Sequence, residues 1–136
     1  MKKIEHIGIA VKDLAASNAL YKTLLGVEHY KIEDVTSEGV KTSFFRVGES
    51  KIELLQATTP DSPIAKFIEK RGEGVHHIAF DVDDIEAEIE RLKSEGFALI
   101  HHTPKPGADG KMIAFLHPKS SGGVLVELCQ DMNNKG

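Results

Sequence analysis

A nine-residue pattern occurs twice, and it constrains the fold of this chain more than any other feature. Near the start it reads His6-Ile-Gly-Ile-Ala-Val-Lys-Asp13-Leu14, and in the middle His77-Ile-Ala-Phe-Asp-Val-Asp-Asp84-Ile85. His6 to His77 is a step of 71, as are Val11 to Val82 and Asp13 to Asp84. In both copies a His opens an apolar run, the run closes on Val, and Asp followed by Leu or Ile starts a helical pattern. A repeat at that period in 136 residues predicts two copies of one module, each giving one His to a shared place.

The alternation around each His says how that place is built. Side chains alternate across a strand. His6 therefore shares a face with the small Gly8 and Ala10, while Ile7, Ile9 and Val11 take the other. Asp13 and Asp84 are predicted N-caps. Leu14, Ala15, Ala19, Leu20 and Leu24 then recur at helical spacing as far as Gly26. Strand patterns follow over 27–35, 40–47 and 51–57, separated by Ser37-Glu38-Gly39 and Gly48-Glu49-Ser50. A proline-bearing connection and a short helix over 64–70 lead to the second copy. That copy has a strand over 75–82, a helix over 84–94 and strands over 97–101, 111–117 and 124–130. An irregular loop occupies 103–110, and a polar tail over 131–136 is expected to fray.

Both halves thus read βαβββ, and neither closes a core alone. The expected fold is α+β: two βαβββ modules forming a curled mixed sheet around a shared metal cleft. The expected organisation is one domain over 1–136. Module one covers about 3–58, a linker helix about 62–72, and module two about 74–131.

Composition narrows the function. A net charge of -4 with no Lys/Arg run offers no field for a nucleic-acid backbone. No stretch has transmembrane length. Cys129 is the only cysteine, so neither an internal disulfide nor a thiolate zinc site forms. No apolar leader pattern precedes the first strand, and a cytoplasmic protein is expected.

The candidate ligands follow from the repeat. Glu53 lies 47 residues after His6 in the last strand of its module, and Glu127 lies 50 after His77 in the matching strand. Two imidazoles and two carboxylates suit a divalent transition metal with open positions. A lone strand His is more often a half-buried packing residue, and a lone strand Glu more often faces water. Repetition of the whole His-then-Glu arrangement favours ligation, since two carboxylates buried together without a cation are costly. The alignment selects His77 over His76, whose parity is that of Ile78 and Phe80, so His76 is expected to pack or to hydrogen-bond. His29, His101 and His102 lie near strand ends and are expected to be solvated. His117 is placed at a cleft mouth.

With its paired His-Ile-Gly-Ile-Ala-Val and His-His-Ile-Ala-Phe segments, the chain resembles the vicinal-oxygen-chelate metalloenzymes. The superfamily includes glyoxalase I and the extradiol dioxygenases. Within it, Pro60-Asp-Ser-Pro-Ile-Ala-Lys-Phe67, Gly72-Glu-Gly-Val-His-His-Ile-Ala-Phe80 and His117-Pro-Lys-Ser-Ser-Gly-Gly-Val-Leu-Val-Glu-Leu128 resemble the methylmalonyl-CoA epimerases. The resemblance runs from Ile4 to Gln130. Carried over, it puts metal ligands on His6, His77 and Glu127, with Glu53 at a position that is Gln or Glu in the family. It implies one divalent ion per chain (Co, Zn, Ni, Mn or Mg), an acyl-CoA thioester substrate and a homodimer. The implied activity is a 1,1-proton transfer through a metal-stabilised enolate, with Glu127 and Glu53 as the candidate proton-transfer pair. Some epimerases carry a Glu, proposed as a base, where this chain has Thr42, and Thr is no base at neutral pH. Lys119 and Ser120 are candidate substrate contacts in the last turn.

Three other functions fit the same fold. A glyoxalase I-type lactoylglutathione lyase shares the ligand set, but no basic cluster for glutathione carboxylates is apparent. A ring-cleaving dioxygenase wants two His and one carboxylate, which Glu53 exceeds. A non-catalytic binding protein has no use for four intact ligands.

Overall fold

The computed structural model describes residues 1–132; most of the polar tail, 133–136, lies outside the described residues. The first half runs β1 (Lys3–Ala10), α1 (Leu14–Leu25), β2 (Lys31–Val35), β3 (Val40–Val47) and β4 (Ser50–Ala57), followed by α2 (Pro63–Arg71). The second runs β5 (Gly74–Asp81), α3 (Ile85–Ser94), β6 (Lys105–Pro106), β7 (Lys111–Leu116) and β8 (Val126–Asp131). The fold class is α+β, with βαβββ occurring twice.

The chain divides into two compact units. An N-terminal unit holds His6–His76; a C-terminal unit holds Met1–Glu5 with the residues from His77 onward. The boundaries fall inside the two histidine strands. The first five residues are tied to the C-terminal unit: Lys2 N donates to Asp81 O at 2.8 Å, and Lys2 Nζ lies 2.8 Å from Asp83 Oδ1.

In the N-terminal unit the strands run in the order β2-β3-β4-β1, with β1 parallel to β4 and the other pairs antiparallel. In the C-terminal unit the order is β5-β8-β7-β6, with β5 parallel to β8 and the rest antiparallel. In each unit the first strand therefore lies beside the last, because the helix between first and second strands makes the crossover that parallel pairing needs.

In each unit one face of the sheet is buried under the helix that follows its first strand. In the N-terminal unit Val11, Leu14, Phe45 and Leu54 form that core, with Tyr21 and Leu25 of α1 against it. On the other face α2 places Ile64 against Ala10, Val40 and Leu55. In the C-terminal unit Ile85, Ile89 and Leu92 of α3 pack on Val82, Ala114, Leu116 and Leu128. Each such aliphatic contributes about 2 kcal/mol by burial. Asp13 and Asp84 cap α1 and α3: Asp13 Oδ1 accepts from Ala16 N at 3.2 Å, and Asp84 Oδ1 from Ala87 N at 3.1 Å. The turn at 37–39 is closed by Gly39 at φ 63, where a Cβ would come within 2.6 Å of Thr59 Oγ1.

Two local expectations are corrected. Residues 97–101 form no strand beyond an isolated bridge between Leu99 and Leu116. Phe97 and Leu99 are used instead to pack against the α3 core. On the edge away from β8, β7 pairs with the two-residue β6, inside the stretch read as loop, where Pro106 lacks an N–H and keeps the strand short. At the end of the chain β8 continues through Asp131, so the described part of the expected frayed tail is partly strand. No helix among the described residues is long and apolar enough to cross a membrane.

Candidate active site

The register of each parallel strand pair brings a His and a Glu together. In the N-terminal unit Glu53 lies opposite Gly8, and Lys51 opposite His6. His6 and Glu53 are thus diagonal neighbours on one face, with the small Gly8 leaving room between their side chains. His6 Nδ1 lies 3.1 Å from Glu53 Oε2. In the C-terminal unit Glu127 lies opposite Ala79, the residue 71 positions after Gly8. His77 Nε2 lies 3.1 Å from Glu127 Oε1. All four residues are at most 6% exposed. The two pairs share one strand register, although His6 turns Nδ1 and His77 turns Nε2 to its carboxylate.

The repeat extends beyond what its sequence signature revealed. Phe44 lies opposite Glu53 and Phe115 opposite Glu127, again 71 positions apart. The Phe115 ring stands edge-on to His77 at 5.6 Å. Gln56 follows Glu53 by three residues, as Gln130 follows Glu127. Gln56 Oε1 accepts from Leu14 N at 2.6 Å, and Gln130 Oε1 from Ile85 N at 2.9 Å. These are first-turn N–H groups that a helix leaves without internal partners. Each ligand strand is thereby tied to the start of its own helix. The signal was present as Glu53-Leu-Leu-Gln56 and Glu127-Leu-Cys-Gln130, but Gln alone reads as an ordinary polar residue.

Other candidates fall as follows. His76 packs edge-on against Phe67, with ring centroids 5.0 Å apart, as its parity predicted. His101, expected to be solvated, is half-buried: its Nδ1 accepts from Phe115 N at 3.1 Å. His29 lies edge-on to Phe45 at 5.9 Å. Lys119 is exposed, and Ser120 Oγ accepts from Ala98 N at 2.9 Å, holding the turn to the segment after α3. Sequence reasoning passed over Glu5 and Lys51, both buried, because charged residues in strands read as solvent-facing. Glu5 Oε2 lies 4.0 Å from Lys111 Nζ. Lys51 Nζ lies 5.9 Å from the centre of the Phe44 ring.

The donor chemistry of each pair fits a divalent cation. An imidazole nitrogen and a carboxylate oxygen held 3.1 Å apart and out of water are a donor pair that one divalent ion can bridge. Cys129 is fully buried and packs with Ala79 and Ile113, as a small apolar residue does. Nitrogen and oxygen donors of this mixture accept several first-row ions and Mg.

A family model for the "Glyoxalase/Bleomycin resistance protein/Dioxygenase superfamily" matches residues 5–115. An ethylmalonyl-CoA/methylmalonyl-CoA epimerase of Cereibacter sphaeroides is 44% identical over 94% of this chain and 97% of its own. The mitochondrial methylmalonyl-CoA epimerase of Homo sapiens is 42% identical over 94% of this chain and 73% of its own. A crystal structure of a Streptomyces coelicolor methylmalonyl-CoA epimerase variant in complex with 2-nitronate-propionyl-CoA superposes with a TM-score of 0.94. It is 35% identical, covering 100% of this chain and 99% of that one.

Proposed function

Because the chain belongs to the glyoxalase/bleomycin resistance protein/dioxygenase superfamily, and within it to the methylmalonyl-CoA epimerases, we propose that it interconverts the stereoisomers of methylmalonyl-CoA. The observation that carries this reading is the repeated buried pair, His6 with Glu53 and His77 with Glu127. His6, Glu53, His77 and Glu127 would together hold one divalent ion. Bound there, that ion supplies Lewis-acid stabilisation of negative charge on the substrate's oxygens.

The proton chemistry belongs to the chain's own residues. The carbon between carboxylate and thioester carries the hydrogen that must leave. One carboxylate takes that proton while the C–H electron pair moves into the thioester to give an enolate. A carboxylic acid on the opposite side returns a proton to the same carbon, and the configuration inverts. Glu127 and Glu53 are the pair we assign to these steps. Each lies 3.1 Å from the imidazole of its own histidine. Thr42 takes no part in moving the proton. The same reading carries a homodimer with it, which sedimentation equilibrium of the purified chain tests.

A paired assay separates this function from a lactoylglutathione lyase. The chain is expected to isomerise methylmalonyl-CoA and to leave methylglyoxal with glutathione unchanged; the reverse result overturns the reading. Running ethylmalonyl-CoA alongside defines the acyl preference. Elemental analysis of the active protein identifies the ion among Co, Zn, Ni, Mn and Mg.

A further inference from the structure

We propose that the Thr42 hydroxyl binds substrate, donating a hydrogen bond to an oxygen of the acyl group, either its carboxylate or its thioester carbonyl, and so helping to set acyl specificity. This rests on the functional reading above. Thr42 is 1% exposed, and its Oγ1 has no hydrogen-bond partner among the described residues. A buried hydroxyl without a partner is costly and calls for a physical reason.

The register says which face the hydroxyl occupies. Thr42 lies opposite Leu55, and Phe44 opposite Glu53. Thr42 and Glu53 are therefore diagonal neighbours on the same face of the sheet, about 7–8 Å apart by backbone geometry. That separation suits a small oxygen-bearing group lying beside Glu53 and within reach of Thr42 Oγ1.

Two comparisons within the molecule show that the fold does not need this hydroxyl. Ser43, the next residue, points to the α1 face, and its Oγ donates to Asn18 Oδ1 at 2.6 Å. A hydroxyl that serves the scaffold in this strand thus has its partner. In the C-terminal unit the position 71 residues on is Ile113, which lies opposite Cys129 in the matching register and is buried in an apolar cluster. The scaffold accepts a plain aliphatic there.

The test uses Thr42→Val, which keeps the shape and removes the hydroxyl, and Thr42→Ser, which keeps the hydroxyl. Thermal midpoints are measured on the free proteins, and dissociation constants for methylmalonyl-CoA by calorimetry. T42V is expected to melt at or above the wild-type temperature and to bind methylmalonyl-CoA about tenfold more weakly. T42S is expected to bind as the wild type does. A second arm uses propionyl-CoA, which lacks the carboxylate. Weakening confined to methylmalonyl-CoA assigns the hydrogen bond to the carboxylate, and weakening of both ligands assigns it to the thioester carbonyl. T42V binding both ligands like the wild type overturns the inference. So does a lower melting temperature with unchanged binding, the mark of a hydroxyl serving the interior. If the wild type itself does not bind methylmalonyl-CoA, the functional reading falls and this inference with it.

Discussion

Glu127 and Glu53 occupy equivalent places but need not do equal work, and substitution separates them. Glu127→Gln keeps the shape and removes the proton acceptor. Isomerisation is expected to fall at least about a hundredfold, measured by coupled assay from either stereoisomer. Glu53→Gln is expected to stop inversion while one stereoisomer still exchanges its α-hydrogen with solvent, because only the second proton-transfer group is lost. Full inversion by E53Q excludes Glu53 from that role. The His-then-Glu logic was legible in the sequence because the histidine strand repeats at a step of 71 and each copy is followed by a last strand that carries a Glu. The 3.1 Å contacts that result were not. Spacing says that two side chains share a face, while only the parallel register of β1 with β4 and β5 with β8 sets them side by side. Buried Lys51 and Glu5 escaped notice for the same reason: strand parity does not say which charged residues a neighbouring element covers.

At the scale of the element, the ligand strands are held by more than their ladders. Gln130 on β8 accepts from the first N–H of α3, and Gln56 on β4 does the same for α1. Gln130→Leu leaves Ile85 N without its acceptor, and a loss of about 1–2 kcal/mol is expected on chemical denaturation. An unchanged midpoint contradicts the clasp. Further along α3, Arg91 donates to Glu88 through Nε at 3.1 Å and Nη2 at 3.0 Å. That hydrogen-bonded guanidinium holds the Glu88 carboxyl below its ordinary range. A depressed carboxylate stabilises the fold above its unfolded pKa, and the contribution is lost as pH falls through the folded value. Arg91→Met should therefore lower stability slightly at neutral pH, and the difference should vanish in acid once Glu88 is protonated. A pH-independent difference contradicts the ion-pair account. The helices were readable from Asp13 and Asp84 because a cap followed by apolar residues at helical spacing is a local signal. The strand expected at 97–101 failed because Phe97 and Leu99 serve the α3 core, and alternation alone does not distinguish core packing from ladder pairing.

For the whole molecule, the step of 71 proved to be structural as well as sequential. It relates His6 to His77, Gly8 to Ala79, Phe44 to Phe115, and the helix caps to each other. The position of Thr42 breaks the likeness, since its counterpart is Ile113. On the reading proposed above, that difference matters as well as the repeat: each unit supplies one His–Glu pair, and the N-terminal unit adds the Thr42 hydroxyl on the face that carries Glu53. The central claim is that these pairs bind one divalent ion and remove the proton between carboxylate and thioester. It is tested by hydrogen–deuterium exchange at the α-carbon of methylmalonyl-CoA in deuterated buffer, with and without a chelator. The account predicts rapid incorporation by the native protein, loss of incorporation on chelation, and recovery when a divalent ion is restored. Incorporation that survives complete removal of the metal would contradict it.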